Sequence, residues 1–230
     1  MITLIRHGQA GSRLVYDDLS VLGREQARAL GNWFRDAGIR FDVLVTGKLK
    51  RQIATAQEVI AAMSGEHPDP LVDPRWSEFD LDEVYAGIGP LLAEEDEQFR
   101  FQYAELQRDT ADPESSAHRA WRHCDVMVVK AWIEGRFEFA GESFAGFETR
   151  VREALLDLPS QGHIAVVTSA TPIALSAGAT LDLTPNRVMQ LAGAQRNTAF
   201  SEIDFRRGDP RLISFNNIPH LREQRLITTR

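Results

Sequence analysis

The sequence predicts an α/β fold, a mostly parallel sheet with helices on both faces. Three observations carry this. The apolar runs Ile2–Ile5, Phe41–Val45 and Ile164–Thr168 have the composition of short buried strands. The stretches after the first two place apolar residues at helical spacing. Strand and helix patterns therefore alternate through the first 72 residues, and parallel strands need such crossovers.

Residues 2–6 form the first expected strand, and 9–19 a loop with an acidic tip at Asp17-Asp18. Ser20 can cap a helix running to about Ala37, with Leu22, Ala27, Leu30, Trp33 and Phe34 near one face and Gly38 just past its end. Phe41–Val45 is the second strand. Lys48–Met63 has helical spacing through Leu49, Ile53, Ala56, Ile60 and Met63, and Pro70–Val72 is a short extended piece. The order so far is βαβαβ.

From Asp82 to Ala140 the character changes. This stretch is rich in Glu, Arg, Gln and aromatics, carries the acidic run Glu94–Glu97 and has no strand pattern. It is expected to be a helical insertion, at about 82–140, lying over the sheet of a single domain. Gly141-Glu142-Ser143 then opens a helix through Leu156, capped by Ser143. His163–Thr168 is a clear strand. Thr171–Leu181 is expected to be helical, with Pro172 in the first turn, where proline is tolerated. Thr198–Phe205 and Arg211–Phe215 are two last strands, turned at Gly208-Asp209-Pro210, and the tail from Asn216 is polar and basic.

The whole-chain properties narrow the function. At 230 residues the chain can bury a substantial core. A net charge of −7 argues against broad nucleic-acid binding but permits a local basic pocket. The single cysteine, Cys124, excludes an internal disulfide and a Cys-rich metal site. The stretch Ile164–Leu183 is too interrupted by Thr168, Ser169, Thr171, Pro172 and Ser176 to span a membrane. No basic region followed by an apolar stretch marks a signal peptide. The expectation is a cytoplasmic enzyme with no nucleic-acid or membrane partner. The oligomeric state is left open.

Arg6-His7-Gly8 stands at the end of the first strand, and ligands of open α/β sheets bind at the C-terminal ends of strands. Imidazole is a usable nucleophile near neutral pH, guanidinium grips phosphate, and glycine permits a tight turn. Arg51 falls in the first turn of the helix after the second strand, beside helix N–H groups that favour anions. Taken alone, a solvated helix arginine is the commoner reading. Arg75-Trp76-Ser77-Glu78-Phe79-Asp80 follows the third strand, and Glu78 or Asp80 is placed to act as a general acid. Alone, each is more often a loop acid paired with Arg75.

The ordered set resembles the histidine phosphatase superfamily, the phosphoglycerate mutase-like branch. The pieces are Leu4-Ile5-Arg6-His7-Gly8-Gln9-Ala10, Leu19-Ser20 with Gly23 and Gln26-Ala27, Leu49-x-Arg51 with Thr55-Ala56, Arg75-Trp76-Ser77-Glu78, Gly141-Glu142-Ser143 and Val166-Val167-Thr168. Asn197-Thr198 and His220-Leu221 also fit. The resemblance implies a three-layer αβα sandwich and phosphoryl transfer without metal or other cofactor, on a phosphorylated small molecule. It makes His7 the acceptor of the phosphoryl group, and gives Arg6 and Arg51 the equatorial oxygens. Glu78 becomes the proton donor to the leaving oxygen and then the base for water. Gln9 and N–H groups of the first loop would help orient the phosphate.

One departure matters most. The strand Ile164–Thr168 should be followed by a second histidine, and Ser169 stands there. A serine hydroxyl can donate one hydrogen bond to phosphate but brings no charge. Losing a preorganised donor typically costs ~3–4 kcal/mol in the transition state. Gly47 and Lys48 also replace the usual Ser-Pro before the second arginine, and Lys48 or Lys50 would restore positive charge. His67, His118, His123, His163 and His220 are read as structural or surface residues. Arg100, Arg108, Arg119 and Arg122 are read first as a solvated helical face, and otherwise as substrate contacts. Two functions follow: a phosphomonoesterase of modest rate working through phospho-His7, or a phosphate-binding protein made silent by the loss of the second histidine. A mutase would have to shield phosphohistidine and hold a bisphosphate, and no feature of the sequence argues for that.

Overall fold

The computed structural model of the chain describes residues 1–11, 17–111, 122–205 and 210–229. His118, Arg119 and the Gly208-Asp209 part of the expected last turn lie outside the described residues. Contacts divide the chain into two compact units. Among the described residues, one comprises 1–11, 17–78 and 150–229, and the other 79–149.

The first unit is built on six strands: β1 (Ile2–Arg6), β2 (Val43–Thr46), β3 (Leu71–Val72), β4 (Ile164–Thr168), β5 (Phe200–Asp204) and β6 (Arg211–Asn217). Their order across the sheet is β3-β2-β4-β1-β5-β6. The first four run parallel, and β5 and β6 are antiparallel additions. The fold is thus α/β with a mostly parallel sheet, as the sequence predicts. The insertion of β4 between β1 and β2 is not legible in the sequence. In β1 and β4 every residue is buried, which is why both read as unbroken apolar runs.

Helices α1 (Val21–Asp36) and α2 (Lys50–Met63) pack on one face of this sheet. Ala27, Leu30 and Phe34 of α1 meet Ala56, Val59 and Met63 of α2 in one cluster with Ile5, Leu44, Ala165, Val167 and Phe200. Ser20 caps α1 as expected, its Oγ accepting from the Gly23 N–H at 2.9 Å. The strand alternation sends Leu4 and Val166 to the other face. There the chain supplies α7 (Ala170–Ala179), which contacts β1, and α8 (Pro185–Ala194), which contacts α7. The sequence reading passes over α8. Its signal is the pair Thr184-Pro185, a helix cap followed by proline at the first position.

The second unit is helical. It contains α3 (Leu81–Glu95), α4 (Glu97–Ala111), α5 (His123–Ile133) and the first half of α6 (Phe144–Leu156). Asp80 caps α3, its carboxylate accepting from the Asp82 and Glu83 N–H groups. Ser143 caps α6 through Gly146 N–H. Phe79, Trp132, Phe144 and Phe147 form an aromatic cluster, and Tyr85 donates to the buried Asp125 carboxylate at 2.6 Å.

Candidate active site

Each of the four parallel strands ends at the same edge of the sheet, and each hands one residue of interest to it. From the outer strand inward, β3 leads to Glu78, β2 to Arg51, β4 to Ser169 and β1 to His7. The register pairs Arg6 with Thr168, so His7 and Ser169 follow on adjacent strands. His7 N–H donates to the Thr168 carbonyl at 2.8 Å. Its own carbonyl accepts from Asn197 Nδ2 and Thr198 N, both at 3.3 Å. Thr198 takes a φ of 56° to do this, uncommon for a non-glycine residue.

The His7 ring is held in one tautomer. Nδ1 lies 2.7 Å from the Gly8 carbonyl oxygen, which can only accept, so Nδ1 carries the proton. Nε2 therefore presents a lone pair, and Arg51 Nε donates to it at 3.2 Å. Burial, with the Arg51 and Arg6 charges adding to it, holds the imidazole well below its ordinary pKa. The ring is neutral, with its unprotonated nitrogen beside a guanidinium.

Arg51 is buried in the first turn of α2, where the sequence places it. Its Nη1 pairs with Asp17 Oδ1 at 3.1 Å. Asp17 is a residue that sequence reasoning assigned only to a loop tip. Thr55, one turn on, accepts from Gly8 N–H at 3.0 Å and donates to the Arg51 carbonyl, which ties α2 to the first loop.

Two donors of Arg6, which the resemblance assigns to phosphate, are engaged by backbone carbonyls. Nη1 donates to the Gln195 carbonyl at 2.5 Å and Nη2 to the Thr229 carbonyl at 2.6 Å. Successive strand residues leave opposite faces, so His7 continues the face of Ile5 and Arg6 leaves the strand on the other. Its charge still acts on His7. Gln9 also serves the fold. Its Oε1 accepts from Ser20 Oγ at 3.1 Å and its N–H donates to Gln26 Oε1 at 2.9 Å. The N–H groups of Gly8 and Gln9, expected to orient phosphate, are thus both engaged.

Glu78 is placed by a well-anchored loop. Asp73 caps a single 3-10 turn at Pro74–Trp76. Arg150 donates to the carbonyls of Arg75 and Ser77 at 2.7 and 2.8 Å, and Lys48 N–H donates to Ser77 Oγ at 3.1 Å. Glu78 Oε2 accepts from Thr171 N–H at 3.2 Å, in the first turn of α7. Ser169 is the residue before α7 and is 1% exposed. Its Oγ accepts from Gln52 Nε2 at 2.8 Å. Gln52 is another residue that the sequence reading missed, although it adjoins Arg51.

Several remaining expectations resolve as structural. His163 sits at the start of β4, the far end of the sheet, bonded to Thr3 at 2.8 Å. His220 is buried with Nε2 donating to Thr198 Oγ1 at 2.9 Å, and burial pushes its pKa down to about 4. Lys48 and Lys50 are exposed, and Lys50 faces Asp18 at 3.9 Å. Among the described residues, no group of three or more His, Cys, Asp or Glu is arranged to hold a metal, and no helix is long and apolar enough to cross a membrane.

Solved structures share this architecture. A phosphoserine phosphatase of Entamoeba histolytica, in complex with phosphoserine, aligns with a TM-score of 0.60 at 20% identity, over 96% of this chain and 98% of that one. The alpha-ribazole phosphatase of Shigella flexneri gives 0.59 at 19% identity, over 94% and 96%. A mycobacterial glucosyl-3-phosphoglycerate phosphatase with inorganic phosphate gives 0.56 at 19%, over 95% and 98%. In sequence, a 2,3-bisphosphoglycerate-dependent phosphoglycerate mutase of Streptococcus uberis is 36% identical over 159 residues, 61% of this chain. That match spans 64% of the mutase, under two thirds of its length. The sequence profile of the histidine phosphatase superfamily (branch 1) matches residues 2–218, which take in all six strands together with His7, Arg51, Glu78 and Ser169, and the chain belongs to that family.

Proposed function

We propose that the chain is a phosphomonoester hydrolase acting on a small phosphorylated molecule through a phosphohistidine at His7. The observation that carries this is the state of the ring: a buried, neutral imidazole with its Nδ1 proton fixed on Gly8 and its Nε2 lone pair beside Arg51. An arriving phosphate competes for the Arg51 donors, which frees Nε2 for attack. The N–P bond forms as the ester P–O bond breaks. Arg51 neutralises charge building on the equatorial oxygens, with Arg6 adding its charge from behind. Glu78 gives its proton to the leaving oxygen. In the second half it takes a proton from water, whose oxygen attacks phosphorus and releases His7. Ser169 contributes one neutral donor. The ligands in two of the solved relatives, phosphoserine and inorganic phosphate, support the substrate class.

A second reading, a phosphate-binding protein without turnover, is favoured by Ser169, which leaves the strand end uncharged. One experiment separates the two. Hydrolysis of p-nitrophenyl phosphate in the absence of metal, with acid-labile phosphate trapped on the wild type and not on His7→Ala, is the expected outcome. Phosphate binding by calorimetry with no turnover above the His7→Ala control selects the second reading.

A further inference from the structure

Gln52 is wholly buried, and each polar atom of its amide is accounted for. Oε1 accepts from Leu49 N–H at 3.2 Å, which fixes the orientation of the amide because an N–H can only donate. Nε2 then has two hydrogens. One goes to the Trp76 carbonyl at 3.3 Å, where only an acceptor is present. The other goes to Ser169 Oγ at 2.8 Å. Ser169 is therefore the acceptor in this pair, and its own O–H proton meets no acceptor among the described residues.

That hydroxyl belongs to the residue beside His7 in the parallel register, at the shared strand edge. The Trp76 carbonyl that anchors Gln52 also accepts from Thr168 Oγ1, so the anchor is itself held. We propose that Gln52 is a positioning residue: by donating to Ser169 it points the serine proton at the phosphate and converts an ambiguous hydroxyl into a fixed donor. The Gln52–Ser169 pair then does without charge what the missing histidine would do with it. A neutral pair of this kind does not titrate between pH 5 and 8, whereas an imidazole does.

The proposal rests on the phosphatase reading and deepens it. Its test is a double-mutant cycle read on kcat/KM for p-nitrophenyl phosphate and on inhibition by inorganic phosphate. Thermal unfolding of every variant runs alongside. Ser169→Ala is expected to lower kcat/KM on the order of 100-fold. Gln52→Met, which keeps the shape and removes both donors, is expected to lower it about tenfold. The double variant is expected to match Ser169→Ala, because Gln52 acts only through the hydroxyl. A merely structural glutamine gives additive losses, and additive losses overturn the proposal, as does a Gln52→Met enzyme of full activity.

If Gln52→Met does not fold, Gln52→Glu serves in its place. Its carboxylate would draw the serine proton away from phosphate, so phosphate inhibition must weaken. Unchanged inhibition again overturns the proposal. A wild type that binds phosphate without turnover carries the same cycle on the phosphate Kd. A wild type that neither binds phosphate nor turns over overturns the phosphatase reading itself, and the role of Gln52 with it.

Discussion

His7, His163 and His220 are all held below the ordinary imidazole pKa, with burial the largest cause in each. In the unfolded chain each takes a proton near pH 6.5, while the folded chain refuses it until the pH is lower. The unfolded state thus binds more protons in that window, so stability falls as pH drops from 6.5 toward about 4. For His220 alone the shift corresponds to about 3 kcal/mol. Urea unfolding of the wild type should weaken across this window, and His220→Leu should flatten the slope while lowering stability at pH 7. Parallel slopes would count against His220 as the cause. Ser169 gives a second prediction at this scale. The Gln52 amide stands 2.8 Å from its hydroxyl, in space with almost no exposure. Ser169→His alone must displace that amide and should cost about 1–3 kcal/mol from overpacking. Adding Gln52→Ala should recover part of the loss, and equal thermal midpoints for the single and double variants would refute the steric account. The sequence showed that Ser169 was unusual. It did not show Gln52, because a glutamine in a first helical turn carries no burial signal until the sheet edge closes over it.

In sequence Gly8 reads as a tight-turn residue, but its reason lies in how two elements meet. It does not occupy the left-handed region. A Cβ there would lie 2.4 Å from the Gly23 carbonyl oxygen, and a Cβ on Gly23 would lie 2.2 Å from the Gln9 carbonyl oxygen. The pair lets α1 touch the first loop backbone to backbone, which fixes the peptide that holds the His7 ring. Gly8→Ala should therefore cost about 1–3 kcal/mol and reduce kcat/KM on the order of 100-fold with all reacting side chains intact. Thermal unfolding and steady-state kinetics check both, and an unaltered kcat/KM would contradict this role. The pattern of elements was otherwise largely legible. β1, β4, α1 and α2 come out within a few residues of their expected bounds, because an unbroken apolar run and a periodic helix are strong local signals. α8 escaped because ten residues are too few for a helical period to stand out in sequence.

Across the whole molecule, the chain's last described residues brace the segments that carry the site. Gln26 Nε2 donates to the Leu226 carbonyl and to Thr228 Oγ1, both at 2.8 Å, and Asn197 N–H donates to the Thr228 carbonyl at 2.8 Å. Arg6 Nη2 reaches the Thr229 carbonyl at 2.6 Å. Arg6 and Gln26 are buried, so deleting residues 226–230 leaves buried donors without partners. At ~1 kcal/mol for each of these hydrogen bonds, the thermal midpoint should fall by roughly 10 °C. Addition of phosphate should restore little of it, and an unchanged midpoint would show that Arg6 finds other acceptors. The α/β class is legible in the sequence alone, and so is the placing of His7, Arg51 and Glu78 at the ends of parallel strands. These are written in local signals, strand ends followed by reactive residues in a fixed order. What those residues face depends on packing between distant segments. Strand alternation turned Arg6 onto the Gln195 and Thr229 carbonyls, and the placing of β4 beside β1 set Ser169 next to His7. Burial then gave Gln52 its two acceptors. Each of these depends on which distant backbone lies against the side chain, and no local pattern of residues encodes that.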